Sequence, residues 1–176
     1  MSQSLANFAD LLRSAKKSAV HLELRDVYSV ENEIAGFQAW KAGHRLDPAD
    51  RSSWWRPWLD LVQEVTANGV AVKRARVVSE PASEYIRYEH SFTFTNVAGG
   101  EEVRWLARRR ASDLLLPGND FWLFDGQVVQ FNIFDGDGRW THTDQSDDPE
   151  TARLCASAFD AVWERAVPHE AYSVAE

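Results

Sequence analysis

Two apolar runs joined by an Asp-Gly pair, in the second half of the chain, set the architecture. Residues 121–124 and 127–134 are rich in apolar side chains, and Asp125-Gly126 separates them. This pairing is a strong hairpin signal, because Gly adopts positive φ without strain and Asp tolerates it. A strand that is apolar along most of its length is usually buried on both faces. We therefore predict that the hairpin lies in the centre of a sheet that helices cover.

Length and composition indicate one folded domain. The 176 residues can bury a real core, and 44% apolar residues with eight Trp argue against disorder. No apolar run is long enough to cross a bilayer, and no signal-peptide pattern opens the chain. Cys155 is the single cysteine, so a disulfide framework is excluded. We expect a cytoplasmic protein without a metal site or cofactor.

The net charge of −8 is unevenly distributed along the sequence. Residues 73–110 carry more basic than acidic side chains, whereas residues 111–176 are strongly acidic. Such a chain has no general attraction to nucleic acid or to anionic membranes. The basic segment leaves room for a local anion site, although its arginines are more simply explained by pairing with nearby acids.

Periodicity predicts alternating helices and strands. Residues 85–95 fit a helix or a strand about equally well, and we favour a helix that begins at Ser79-Glu80-Pro81. Ser53 is a plausible N-cap for the helix that follows it, and Asp148-Pro149 is a strong helix start. The remaining predicted elements are a helix over 4–16, a strand over 19–25, a helix over 31–42, a helix over 54–66, strands over 70–78 and 102–106, a strand over 139–143, and a last helix that Pro168 stops.

Two groups of side chains permit both a structural and a functional interpretation. His21 and Glu23 alternate with apolar residues, so we expect them on a solvated strand face. Trp54, Trp55 and Trp58 form an aromatic stripe at helical spacing, which is typical of a core more often than of a ligand cage.

The order of elements over residues 70–166 resembles one half of a phospholipase-D-like domain. That superfamily carries a His-x-Lys-(x)4-Asp motif at the hairpin, in which the His is the nucleophile and the Lys binds phosphate. Aligning Asp125 with the Asp of the motif places Gly118 at the His and Asp120 at the Lys. The resemblance therefore implies an α/β fold with a mixed sheet and an N-terminal addition over 1–69, but not the chemistry of the superfamily.

A second resemblance covers most of the chain. Four segments, residues 18–28, 76–87, 116–125 and 166–169, are similar to an actinobacterial family of unknown function. Members of that family are often encoded near small helix-turn-helix regulators, so the resemblance implies such a regulator, or another protein, as a partner. It implies no activity.

The candidate ligand-binding residues lie at predicted strand ends and in the hairpin. We place the strands of Arg76 and Arg104 side by side, where two guanidinium groups could bind a carboxylate or phosphate. The structural alternative is a buried network in which Arg76 or Arg87 pairs with Asp120 or Asp125. The full candidate set is Arg76, Glu80, Tyr85, Arg87, Arg104, Asp120, Trp122 and Asp125.

These observations favour a non-catalytic regulatory or interaction module that binds a protein partner or a small anionic ligand. The alternative is a hydrolase that acts on a phosphate ester. Convergent polar side chains in an open pocket would indicate a surviving catalytic site, whereas an exposed aromatic patch would indicate an interaction module. Because the helix over 54–66 carries three Trp, we also expect an exposed apolar surface there and a homodimer.

Overall fold

A computed structural model of the chain describes residues 8–174, apart from the side chain of Asn32. The first residues of the helix predicted over 4–16 lie outside the described residues. Helices and strands alternate along the chain, with the following bounds: α1 Phe8–Ser14, β1 Ser18–Glu23, α2 Glu31–Lys41, α3 Arg51–Trp54, α4 Pro57–Ala67, β2 Ala71–Val78, α5 Glu84–Phe92, α6 Phe94–Gly99, β3 Glu102–Ala107, β4 Asp120–Phe124, β5 Val128–Phe134, β6 Trp140–Ser146, α7 Pro149–Arg165 and β7 Val167–Pro168.

The strands of residues 8–174 form one mixed sheet in the order β6-β5-β4-β1-β2-β3-β7. β1, β2 and β3 run parallel, and the other neighbouring pairs are antiparallel. The predicted α/β class with a helix-covered mixed sheet is confirmed. β1 is the middle strand, so the N-terminal segment supplies the centre of the sheet rather than a separate layer.

The Asp-Gly turn forms as predicted, but the central strand of the sheet is β1, and the hairpin strands lie toward the β6 edge. Asp125 and Gly126 have φ values of 52° and 70° and join β4 to β5. Every residue of β4 is buried, because β1 and β5 flank it and helices cover both faces. Asp125 Oδ1 also accepts hydrogen bonds from the backbone N–H groups of Lys17 and Ser18, and its Oδ2 accepts one from Lys16. The turn thus ties the hairpin to the start of β1.

The two faces of the sheet are covered differently. α7 lies over one face and closes an apolar core that includes Leu22, Ala75, Phe121 and Phe159. On the other face, α1 and α4 pack at one end, and α5 packs at the other with α2 beside it. The middle of this second face carries polar side chains, and it is here that a cavity opens.

Two predicted helix starts are wrong. Ser53 lies inside the short helix α3, and α4 begins separately at Pro57 after Arg56 in extended conformation. The helix predicted from Ser79-Glu80-Pro81 begins later, at Glu84, where the Ser83 hydroxyl accepts a hydrogen bond from the Ile86 N–H at 3.1 Å. In both places the helix begins at a favourable residue a few positions after the predicted start. This residue is Pro57 for α4 and the N-cap Ser83 for α5.

The helix favoured over residues 85–95 is confirmed as α5, followed by α6. The tryptophans of the 54–66 helix pack mainly inside the chain. Trp54 is buried against Phe94, and Trp58 packs against Phe8 and Trp122. The core interpretation of this aromatic stripe is therefore the better one.

Candidate ligand-binding cavity

A cavity of about 750 Å³ opens on the sheet face opposite α7. Alternate residues of the central strands form its floor, because successive side chains of a strand point to opposite faces. One row of neighbouring floor residues is Gln130, Trp122, His21 and Arg74, which are in register across β5, β4, β1 and β2. A second row, displaced by two residues along each strand, is Asn132, Asp120, Glu23 and Arg76.

Two buried arginines of the floor are held by three glutamates. Arg74 Nη1 donates to Glu23 Oε1 at 2.7 Å, and its Nε donates to Glu101 Oε2 at 2.8 Å. Arg76 lies with its Nε 2.8 Å from Glu23 Oε2, and its Nη1 contacts Glu89 of α5. Burial alone would raise the pKa of Glu23, but the two guanidinium groups outweigh it and lower that pKa to about 2.

His21 is a neutral imidazole in the floor. It is 6% exposed and stacks on Trp122 with the ring centroids 4.3 Å apart. Burial lowers its pKa to about 3, so it carries no charge near neutral pH. Neither ring nitrogen has a hydrogen-bond partner among the described residues, and Nδ1 is 3.7 Å from Glu23 Oε1.

The solvated strand face predicted for His21 and Glu23 is therefore wrong. Alternation showed correctly that the two residues share a face, but helices cover that face, including α4 and α5 from remote parts of the sequence. Both side chains line the cavity, and Glu23 is held by arginines rather than by water.

Two further carboxyl groups lie toward the carboxyl ends of β1 and β2. Asp120 accepts the N–H of Leu24 at 2.9 Å and a short hydrogen bond from the Tyr28 hydroxyl. Glu33, on α2, accepts a short hydrogen bond from the Tyr85 hydroxyl. Within residues 8–174, neither carboxyl forms a salt bridge.

Burial shifts both of these carboxyl groups toward the protonated form. It raises the pKa of Asp120 to about 6, against the opposing effect of the Tyr28 hydrogen bond. Burial and the neighbouring Glu89 carboxylate raise the pKa of Glu33 to about 7, although the Tyr85 hydrogen bond lowers it. Both groups thus change charge in the physiological pH range.

Arg56 also lines the cavity, just before α4. Its Nη1 donates to Thr95 Oγ1 at 2.8 Å and its Nη2 to Asn96 Oδ1 at 3.2 Å. Its guanidinium also lies 5.8 Å from the centre of the Phe92 ring. Both terminal nitrogens of this third guanidinium therefore already donate hydrogen bonds to neutral acceptors.

Four of the eight predicted site residues line the cavity: Arg76, Tyr85, Asp120 and Trp122. The structural network predicted for Arg76 is present, but its partners are Glu23 and Glu89 instead of Asp120 or Asp125. β2 and β3 are neighbours, as expected, and Arg76 is in register with Trp105.

The other four predicted residues lie elsewhere. Arg104 is in register with Ala75, so it points to the α7 face, where it donates to the Trp163 carbonyl at 3.1 Å. The predicted pairing of Arg76 and Arg104 around one anion is therefore wrong. Glu80 accepts from the Tyr172 hydroxyl at 3.0 Å. Arg87 contacts the Ala82 carbonyl, and Asp125 holds the hairpin turn.

Sequence reasoning missed several lining residues, above all His21, Glu23, Arg74, Glu33 and Glu89. One signal could have identified the first three. β1 and β2 each carry polar residues at alternate positions although they belong to a parallel region of the sheet, where both faces are normally covered. Glu33 and Glu89 carry no comparable signal, since acidic residues are ordinary on exposed helix faces.

The described side chains contain no group of three or more His, Cys, Asp or Glu that could hold a metal ion. None of the helices in residues 8–174 has the length and apolar character that crossing a bilayer requires.

The fold of the chain is similar to that of phospholipase D family members. NucT from Helicobacter pylori is similar over 91% of this chain and 87% of its own, with a TM-score of 0.53 and 14% identity. Nuc from Salmonella typhimurium, a phospholipase D family member, is similar over 91% and 86%, with a TM-score of 0.50 and 11% identity. At such identities the likeness concerns the fold alone.

The chain belongs to the family described as Domain of unknown function (DUF6879), whose sequence profile matches residues 6–174. TrmBL2, an archaeal chromatin protein for which a novel mode of DNA binding is described, is also similar, with a TM-score of 0.49 and 13% identity over 90% of this chain. The chain spans about half the length of TrmBL2, 48%. No curated protein sequence matches the chain.

Proposed function

We propose that this protein is a non-catalytic module that binds a small molecule in the cavity on the second face of the sheet. The observation that carries the proposal is the cavity itself, about 750 Å³ in volume and lined by both aromatic and polar side chains. Binding sites for small ligands are typically clefts of roughly 300–1,000 Å³ with this mixture of lining residues.

The position of the superfamily's nucleophile supports the absence of catalysis. Gly118, which aligns with the catalytic His, is not among the lining residues. A Cβ added to Gly118 would lie more than 4 Å from every described heavy atom outside Gly118 and its two chain neighbours. Asp120, which aligns with the phosphate-binding Lys, is a carboxyl group held by Tyr28 and Leu24.

The arginines of the cavity also argue against phosphate chemistry. Arg74 and Arg76 already face carboxylates, and the nitrogens of Arg56 already donate to neutral acceptors. A phosphate would have to displace these internal partners and would leave buried carboxylates unpaired, which is costly. The small anionic ligand that the sequence favoured is therefore not part of this proposal.

A protein partner, such as a helix-turn-helix regulator, stays a prediction. The exposed large apolar side chains of the described residues are spread over separate helices, strands and loops: Val27, Ile34, Leu115, Trp140 and Leu154. The cavity is the stronger basis for a function, and a small molecule is the occupant that its size suits.

Phosphate-ester hydrolysis is the second candidate, and one observation favours it. Polar side chains do converge on a pocket, and His21 offers a neutral imidazole with unpaired nitrogens there. A histidine in this state could attack a phosphorus atom. Under this alternative, the protein would hydrolyse bis(4-nitrophenyl) phosphate without added metal, and His21→Asn would abolish the turnover.

A screen with a cavity-filling variant tests the proposal. Thr143 lines the cavity from β6, whereas Asp144 is the next residue, is exposed and does not line it. We expect compounds from a chemically diverse small-molecule set to raise the melting temperature of the wild type and of Asp144→Trp, but not of Thr143→Trp. The proposal fails if no compound stabilises the wild type, if both variants respond alike, or if His21-dependent turnover is found.

A further inference from the structure

We infer that the ligand of this cavity carries a positive charge, as an amine or amidine attached to an aromatic body, and that Asp120 and Glu33 receive that charge. This inference rests on the proposed function and specifies the chemical class of its ligand.

The charge balance of the cavity is the first argument. The lining residues and their buried partner Glu101 hold five carboxyl groups and three guanidinium groups: Glu23, Glu33, Glu89, Glu101 and Asp120, and Arg56, Arg74 and Arg76. Arg74 and Arg76 are shared among Glu23, Glu89 and Glu101. The cavity therefore holds more negative than positive charge before any ligand enters.

The second argument is where the excess carboxyl groups lie. Asp120 and Glu33 are the two lining acids that receive hydrogen bonds only from tyrosine hydroxyls and one backbone N–H among the described residues. Arg25, which influences Asp120 electrostatically, does not line the cavity, and its guanidinium lies over the Phe134 ring. A buried carboxylate that forms no salt bridge is unfavourable, so a ligand cation beside either acid would be stabilised.

Aromatic rings stand beside these two acids. The Tyr28 ring lies 5.9 Å from that of Tyr85 and 5.3 Å from that of Phe134, measured between centroids. Trp140, which is 53% exposed, lines the same cavity. Carboxylates combined with aromatic faces form the usual recognition site for organic ammonium groups, because the ring face is electronegative.

His21 is an independent sign of a polar ligand. Its side chain is more than nine-tenths buried, lines the cavity and has two ring nitrogens without a partner among the described residues. A buried polar group of this kind is normally hydrogen-bonded. As a neutral imidazole it can accept an N–H of the ligand at one nitrogen and donate from the other.

The change of ligand affinity with pH provides a second readout, in addition to the affinity at a single pH. Glu33 is faced by Tyr85 and Glu89 of α5, by Arg76 of β2 and by Glu23 of β1. Asp120 is faced by Tyr28, Glu23 and Arg25. Because burial raises the pKa of Glu33 to about 7 and that of Asp120 to about 6, both are partly protonated at pH 6. Cation binding should therefore strengthen by a factor of about 25, if only Glu33 must be ionised, to about 100, if both acids must be, as the pH rises from about 5.5 to 7.5.

Three probes of matched shape test the inference: tryptamine as the cation, tryptophol as the neutral analogue and indole-3-propionate as the anion. Calorimetry and saturation-transfer NMR would measure their binding to the full chain. We expect tryptamine to bind at least about tenfold more tightly than tryptophol, and we expect no binding of indole-3-propionate. Glu33→Gln and Asp120→Asn should each remove this preference, and Glu33 is the safer site for folding because it lies on a helix at the rim of the core.

Glu84→Gln is the matched control, since Glu84 is an exposed acid on α5 that pairs with Lys41 at 3.4 Å. Equal binding of the three probes, or an unchanged preference in Glu33→Gln, overturns the inference. If tryptamine does not bind while the broad screen finds neutral or anionic ligands that Thr143→Trp excludes, the charge inference fails and the proposed function stands. If neither the probes nor the screen finds a ligand, both fail.

Discussion

At the scale of single residues, the primary role of the buried arginines is to stabilise the fold. Arg76 is 4% exposed and lies between Glu23 and Glu89. Removing one partner of a buried ion pair leaves an uncompensated charge in a region of low dielectric constant. The arginine that sequence reasoning assigned to a ligand therefore neutralises the cavity floor.

This role predicts a large loss of stability in Arg76→Leu. Glu89 loses its only salt bridge within residues 8–174 and Glu23 keeps only Arg74, so the free energy of unfolding should fall by about 3–5 kcal/mol, as measured by urea denaturation. Adding Glu89→Leu should recover part of the loss, because the unpaired charge is then removed. Arg153→Leu, which breaks an exposed pair with Glu150 on α7, is the control and should leave the denaturation midpoint unchanged. Equal effects of Arg76→Leu and Arg153→Leu would contradict the buried network.

The raised pKa of Glu33 predicts that its contribution to stability falls as the pH rises. Burial and Glu89 raise its pKa to about 7 from an ordinary value of 4.5, so the folded state binds a proton more tightly than the unfolded chain. Its contribution to stability is complete below pH 4.5 and is lost as the pH rises through 7. Between about pH 6 and 8, Glu33→Gln should gain about 1 kcal/mol relative to the wild type. Urea denaturation of both proteins at the two pH values measures this, and a constant difference would disprove it.

At the scale of elements, strand alternation decides which charged residues meet. Arg76 of β2 and Arg104 of β3 lie on neighbouring parallel strands, but the register pairs Arg104 with Ala75. A displacement of one residue places a side chain on the opposite face of a sheet. The two guanidinium groups therefore lie on opposite faces of the sheet. Arg76 lies in the cavity floor, whereas the guanidinium carbon of Arg104 lies 4.3 Å from the centre of the Trp163 ring.

The β4–β5 hairpin makes Asp125 a structural residue, which predicts the effect of replacing it. Asp125→Ala removes the acceptor of three backbone N–H groups and places Ala at positive φ. The free energy of unfolding should fall by about 2–3 kcal/mol. Asp125→Asn, which tolerates positive φ and keeps an acceptor oxygen, should cost less. Thermal denaturation compares the variants, and an Asn variant as unstable as the Ala variant would refute this account of the turn.

At the scale of the whole molecule, the net charge of −8 governs encounters with polyanions. Binding to duplex DNA depends on the release of counterions by clustered cations, and the acidic final third of the chain opposes it. We expect no appreciable affinity for random duplex DNA at about 150 mM salt in fluorescence anisotropy. A submicromolar affinity that weakens steeply with added salt would contradict this expectation.

The surface that motivated the homodimer expected from the sequence is largely covered within the chain. Trp54 is buried, Trp58 packs on Trp122, and its Nε1 donates to Glu101 Oε1 at 2.6 Å. We therefore expect light scattering at micromolar concentration to give a mass near 20.0 kDa. A mass of twice this value would locate the contact on another surface.

The amino-acid sequence by itself determined most elements of this protein. The Asp125-Gly126 turn, the Asp148-Pro149 helix start and the alternation of β1 all follow from local preferences that act within a few residues. Local preferences also placed His21 and Glu23 on one face of their strand. They could not determine whether water or protein covers that face.

Only the tertiary structure decided that the polar face of β1 is buried. The sheet order places β1 between β4 and β2, and α1, α2, α4 and α5 then cover the His21 side. Contacts of this kind join residues far apart in sequence, such as Arg76 and Glu89 or Tyr28 and Asp120. The cavity exists because helices from four separate segments pack over one row of strands, and no local sequence pattern predicts that packing.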